Sequence, residues 1–289
     1  MAARILLKTT IGPVEDGWNV ARFSLLANHL AALKDELGRA LYAVTAANRI
    51  ETRSGDDADL QAMAAGEYDQ LWLFAVDATA AFSEADAGRI ALFRERGGSI
   101  FLTRGHADLG VCLTRLGEIG ATQHFHSVNP QPDETWRCND DAATSSIGWP
   151  NYNTGADGDL QIIESTPPLH PIMQGPSGAP IRRLPAHPHE GVVGVPDALA
   201  AFARVVARGR CKTTGASFNL CVAVDEPRLG RVVSDSNFHH FCDYNWDPRR
   251  GCPSFVNELP GDTVLREPDA LADTRTYVEN IAAWLDGRI

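Results

Sequence analysis

Residues 71–76 read Leu71-Trp72-Leu73-Phe74-Ala75-Val76 and residues 99–103 read Ser99-Ile100-Phe101-Leu102-Thr103; how these two runs are joined decides the fold. Each is short and almost unbroken in apolar residues, which suits a strand buried on both faces. Between them Ser83 and Asp86 stand three apart, as a capping pair does. Ile90 and Phe93 follow at helical spacing, and Gly97-Gly98 stops the helix. Strand, helix and strand in this order form a βαβ unit, whose strands lie parallel and whose crossover is right-handed.

The same grammar extends toward the start of the chain. Ile5 to Thr10 reads as a buried strand, Val20, Phe23, Ala27, Leu30 and Leu33 recur at helical spacing, and Arg39 to Thr45 returns to strand character. Consecutive units of this kind predict an α/β protein with helices on both faces of a mostly parallel sheet. Toward the end, regular structure resumes at Leu199 to Ala207. Phe218 to Val224 and Arg231 to Val233 then read as two strands joined across Pro227 to Gly230. A closing helix is expected with Asp273 or Thr274 as N-cap, Val278, Ile281 and Leu285 as its apolar stripe, and Gly287 at its end. Two stretches lack a sustained period. Residues 129–160 are expected to be a lid, a pocket rim or a disordered insert, and residues 244–262 a long loop. Both halves share one sheet in this reading, so 1–289 is expected to be a single domain.

Composition narrows the function. With 289 residues, 26 Lys and Arg against 37 Asp and Glu, and a net charge of −11, the field of the molecule repels phosphate backbones and anionic membranes. Neither nucleic acid nor membrane is expected as a partner. The opening residues lack the apolar core of a secretory signal, and no run approaches about 18 apolar residues, so a cytoplasmic protein is expected. The six cysteines, Cys112, Cys138, Cys211, Cys221, Cys242 and Cys252, include no C-x-x-C pair and read as reduced thiols.

In a parallel sheet, ligands collect beyond the carboxyl ends of the strands. Three segments carry histidine in polar company there or in turns: Arg104-Gly105-His106-Ala107-Asp108, His187-Pro188-His189-Glu190-Gly191, and Asp235-Ser236-Asn237-Phe238-His239-His240. Imidazole suits proton transfer near neutral pH and metal ligation alike. Asp108, Glu190, Asp235 and Asp243 stand near enough in sequence to orient the rings or complete a coordination shell. The candidate catalytic residues are therefore His106, Asp108, His189, Glu190, Asp235 and His239. The candidate metal ligands are His106, His187, His189, His239 and His240, for a divalent zinc, manganese or iron ion. The bland alternative places one ring of the His239-His240 pair inward, hydrogen-bonded, and the other outward. No G-x-G-x-x-G, P-loop, G-x-S-x-G or H-E-x-x-H is present, so no nucleotide cofactor is expected. Trp136, Trp149, Tyr152, Tyr244 and Trp246 cluster in the irregular stretches, and loop anchoring is favoured over ligand stacking for them. Arg249-Arg250, beside Asp247, reads as a solvated pair.

Tyr68 to Phe74, the helix ending at Gly97-Gly98, and Ile100 to Gly110 together resemble the central portion of class I glutamine-amidotransferase-like proteins. More narrowly, His170-Pro171-Ile172-Met173-Gln174-Gly175 and Gly230-Arg231-Val232-Val233 followed by His239 resemble the branch around the trehalose-utilisation protein. The histidine segments resemble bacterial members of this fold. The resemblance spans about two thirds of the chain and implies a flavodoxin-like three-layer sandwich with long loop insertions, a pocket at the carboxyl edge, and possible association through sheet edges or helix faces as a homo-oligomer. A working glutaminase of this superfamily carries a nucleophilic Cys on the turn after the central strand. Here that turn reads Thr103-Arg104-Gly105-His106, and Cys112 falls beyond it. A cysteine-dependent glutaminase is therefore not expected. The reading that results is a hydrolase of a small polar, carbohydrate-derived molecule, using metal-activated water or a histidine base. The alternative is a non-catalytic small-ligand-binding or interaction protein on the same scaffold.

Overall fold

The computed structural model describes residues 1–79, 81–105, 108–125, 127–130, 160–185, 193–210, 217–255 and 263–289. In chain order the elements are β1 (Ala3–Thr9), α1 (Ser24–Ala32), β2 (Tyr42–Ala47), α2 (Ala58–Ala64), β3 (Gln70–Ala75), α3 (Glu84–Glu95), β4 (Ser99–Arg104) and α4 (Gly117–Gly120). There follow β5 (Leu160–Ser165), β6 (Arg183–Pro185), β7 (Ala203–Arg210), β8 (Ser217–Val224), β9 (Val232–Asp235), α5 (Asp243–Trp246), α6 (Thr263–Arg266) and α7 (Pro268–Leu285).

Among the described residues nine strands form one sheet, in the order β2-β1-β3-β4-β9-β8-β7-β5-β6. Pairing is parallel from β2 through β9 and antiparallel from there to β6. The reversal follows from the short turn between β8 and β9, which the sequence signalled at Pro227 to Gly230. β3 and β4 are buried at every position because helices cover both faces. On one face Phe74, Phe101 and Val233 pack with Phe23, just before α1, with Leu30 of α1, and with Val278 and Ile281 of α7. On the other, Leu73, Leu102 and Val232 pack with Leu60, Ile90, Leu113 and Ile119. This is a three-layer α/β sandwich.

The expected elements are present with shifts that have local causes. β2 starts at Tyr42 rather than Arg39, because Asp35 takes the N–H groups of Leu37 and Arg39 and the Arg39 side chain, holding 35–39 as a turn. Ser83 and Asp86 make the reciprocal capping box at α3. Gly97, at φ 91°, takes the left-handed conformation that ends the helix. The closing helix corrects its predicted start: α7 begins at Pro268, a residue pre-set for the first helical turn. Asp273, inside it, receives the N–H groups of Arg182 and Arg183, and the Thr274 hydroxyl bonds back to the Ala270 carbonyl. Val278, Ile281 and Leu285 are buried as predicted. Residues 131–159, most of the expected lid or insert, and 256–262 of the long loop lie outside the described residues. Among the described residues no helix is long and apolar enough to cross a membrane.

Candidate functional site

β4 and β9 lie side by side at the centre of the sheet, with Thr103 opposite Asp235 in register. Phe101 and Val233, two residues back on each strand, face the α1 and α7 layer. The period of two therefore aims Thr103 and Asp235 at that same layer. Where β9 ends, the chain turns through Ser236 and Asn237 into a 3-10 turn, Phe238–Phe241. Asn237 begins this turn for the usual reason: its side-chain oxygen accepts the His239 N–H at 3.0 Å.

Asp235 is fully buried and accepts three hydrogen bonds. Oδ1 takes the Asn237 backbone N–H at 2.8 Å and lies 3.2 Å from Nδ1 of His240; Oδ2 takes the Tyr277 hydroxyl at 2.8 Å. A carboxylate oxygen accepts, so Nδ1 of His240 is the donor in this contact. The His240 carbonyl is held by the Trp246 indole N–H at 2.9 Å, and the His239 carbonyl by the Asn245 amide at 2.6 Å. Trp246 also lines a cavity of about 390 Å³ with Leu25, His29, Leu271 and Arg275. Burial, then the negative charge of Asp235, pushes the Tyr277 phenol well up, so it stays a proton donor.

The sequence-predicted residues divide as follows. Asp235 and His240 meet. His239 is buried in an aromatic box: its ring stands edge-on to Trp18 at 4.9 Å and 4.0 Å from the Phe238 ring. Both rings of the pair are enclosed, in place of one inward and one outward. Asp108 is turned to the Ser127 N–H at 3.0 Å. Asp243 serves α1 instead of an imidazole, accepting from the Ser24 hydroxyl and the Leu25 N–H across the chain. Tyr244 and Trp246 are buried anchors, and Arg249 pairs with Asp247 at 2.7 Å. His106, His187, His189 and Glu190 lie outside the described residues, as do Trp136, Trp149 and Tyr152. Among the described residues no three His, Cys, Asp or Glu side chains gather as a metal shell.

Two features were not anticipated. Tyr277 carries no motif; its one signal is its place beside Val278 on the apolar stripe of α7. Asp77, directly after β3, is buried where β1 and β3 part. Its Oδ1 accepts the Thr10 hydroxyl at 2.6 Å and the Cys112 thiol at 3.0 Å, and burial raises its pKa. Burial and the Asp77 carboxylate in turn push the Cys112 thiol well up, which opposes thiolate formation. Arg104 is also fully buried, donating to the carbonyls of Gly105 and His124 and stacking over Phe125, so it fastens the turn after β4. Among the described residues Arg228 is the non-glycine with positive φ, so neither Thr103 nor Arg104 sits on a strained elbow.

Several enclosed polar atoms at this edge have no hydrogen-bond partner among the described residues: Thr103 Oγ1, Ser236 Oγ, Asn237 Nδ2 and Asn245 Oδ1, with Asp77 Oδ2 at the neighbouring strand end. An unpaired buried polar atom costs about 1–3 kcal/mol, and natural proteins hold few of them. Thr103, Asp77, Ser236 and Asn237 each lie within two residues of the carboxyl end of β4, β3 or β9.

Compared with known proteins, the chain matches no family model and no curated protein. Among solved structures it superposes on the Trypanosoma brucei CTPS glutaminase domain with bound acivicin, at TM-score 0.51 and 13% identity, over 100% of this chain and 95% of that one. It also superposes on the mmIFT52 N-terminal domain at TM-score 0.49 and 11% identity, over 98% of this chain and 97% of that one. The chain therefore shares the α/β fold of that glutaminase domain.

Proposed function

We propose that the chain is a hydrolase of a small polar, carbohydrate-derived substrate, with His240 as general base and Asp235 as the carboxylate that orients it. The observation that carries this reading is the Asp235–His240 contact at the carboxyl end of a central strand, near hydroxyl and amide atoms that have no partner among the described residues. With Nδ1–H held by Asp235, Nε2 accepts a proton from water as the water oxygen attacks the substrate. The same nitrogen then returns the proton to the leaving group. A divalent metal would use this nitrogen too, since a ligating histidine commonly has a carboxylate behind its other nitrogen. His106, His187 and His189 would have to supply the rest of the shell.

A second reading, ligand binding without turnover, draws on the enclosure of His240, which is 2% exposed. One experiment separates them. Protein purified without chelator is analysed for zinc, manganese and iron, then screened against neutral sugars, sugar esters and sugar amides for hydrolysis and for thermal stabilisation. Under the hydrolase reading, His240→Gln lowers turnover by about 10²–10⁴-fold while the fold persists. Ligand-dependent stabilisation without hydrolysis would assign the site to binding alone. Turnover untouched by His240→Gln would remove the base.

A further inference from the structure

We infer that Tyr277 is a positioning residue for the His240 base: its hydroxyl occupies Oδ2 of Asp235 at 2.8 Å, reserving Oδ1 for the imidazole and setting how strongly that ring is held. The inference rests on the proposed role of His240. Its argument is geometric. Asp235 has two oxygens and, among the described residues, three donors: the Asn237 N–H and the His240 Nδ1–H share Oδ1, and the Tyr277 hydroxyl takes Oδ2. The two oxygens share one negative charge, so a stronger donor at Oδ2 weakens the pull of Oδ1 on the imidazole proton, and a lost donor strengthens it.

Tyr277 is itself held in place. It lies in mid-α7 with its ring stacked near Phe241, 6.3 Å between centroids, and α7 is tied down beyond it. The Gln70 amide bonds the Ala282 carbonyl at 3.0 Å, and the Arg231 guanidinium bonds the Trp284 carbonyl at 2.7 Å. Arg231 immediately precedes β9, so one strand carries Asp235 at its far end and a clamp on the tyrosine's helix at its near end. A residue needed only for packing would require the ring, not the hydroxyl.

The test reads the His240 Nδ1–H proton by NMR in the full chain and uses no substrate. The signal is assigned by its loss in His240→Gln. Tyr277→Phe keeps the ring and removes the donor, and the signal is expected to move downfield by more than its line width. Biosynthetic 3-fluorotyrosine keeps both and strengthens the donor, and the expected movement is upfield; this arm stands even if Tyr277→Phe fails to fold. Where a substrate is turned over, Tyr277→Phe should lower kcat by about tenfold with KM nearly unchanged. A signal indifferent to fluorination, or no protected His240 ring proton in the unaltered chain, overturns the inference. A protein that hydrolyses nothing yet gives the opposed shifts keeps the Tyr277 coupling and loses the hydrolase.

Discussion

His170 and His240 are both drawn inward, but in different company. His170 accepts the Ile172 N–H to open the turn Pro171–Met173, and its ring stands edge-on to Trp284 at 5.2 Å. Burial, followed by the positive charges of Arg204 and Arg231, pushes its pKa down to about 4 from 6.5. Between those values the unfolded chain binds more protons than the folded one. The stability at stake is complete above about pH 6.5 and is lost as the pH falls toward 4. His170→Asn keeps a capping acceptor and removes the titration. Its urea midpoint is expected to fall less than the parent's between pH 7 and pH 4.5, and parallel losses would refute this cause. His240 differs because a carboxylate takes its Nδ1–H. Sequence marks both as histidines near strand ends or turns and cannot distinguish them, since Tyr277 and Asp235, which define the second environment, lie 42 residues apart.

At the scale of elements, the joints are more legible than the site. α3 could be read from Ser83, Asp86 and Gly97 because a cap is a local bond, decided within four residues. Ser83→Ala should cost about 1 kcal/mol, seen as a lower denaturant midpoint, and the Ser83 hydroxyl's second bond, to Asp56, adds to that loss. α2 escaped the reading because Ala58–Ala64 is short and offers the core Leu60 and Met63 alone. Asp243 meets α1 and not a histidine because its partners there, Ser24 and Leu25, are brought to it by the fold and not by spacing. The joint between α3 and β9 is tighter still. The Gly230 N–H bonds the Arg94 carbonyl at 2.9 Å, the Arg94 side chain bonds the Gly230 carbonyl at 3.1 Å, and a Cβ at Gly230 would run into the Gly98 carbonyl. Gly230→Ala should therefore destabilise by about 1–3 kcal/mol or more, measured by urea unfolding. An unchanged midpoint would mean that β9 approaches this turn less closely.

For the whole molecule, charge and topology set the behaviour. A net charge of −11 spreads repulsion over the folded surface, while several ion pairs oppose it, among them buried Lys8 with Asp57 at 3.0 Å and Asp59 at 2.6 Å. Salt screens exposed charges more than buried ones. The melting temperature should accordingly rise as sodium chloride is raised to about 0.2 M. A fall would show that exposed pairs, such as Arg4 with Asp69, outweigh the general repulsion. The parallel half of the sheet was readable because repeated βαβ grammar is local. The antiparallel half beyond β8 was only partly so, since β5 and β6 are short and pair with strands distant in the chain.

The neighbours β4 and β9 come from remote parts of the chain, Ile100 against Val232. Ring closure over such a span is entropically slow, so the early βαβ half should acquire helix and sheet before β9 inserts. Competence to bind should then trail the first burst of ellipticity in a dilution-jump refolding trace. Half-made chains would present the bare flank of β4, a template for adhesion to other strands that only the arrival of β9 conceals.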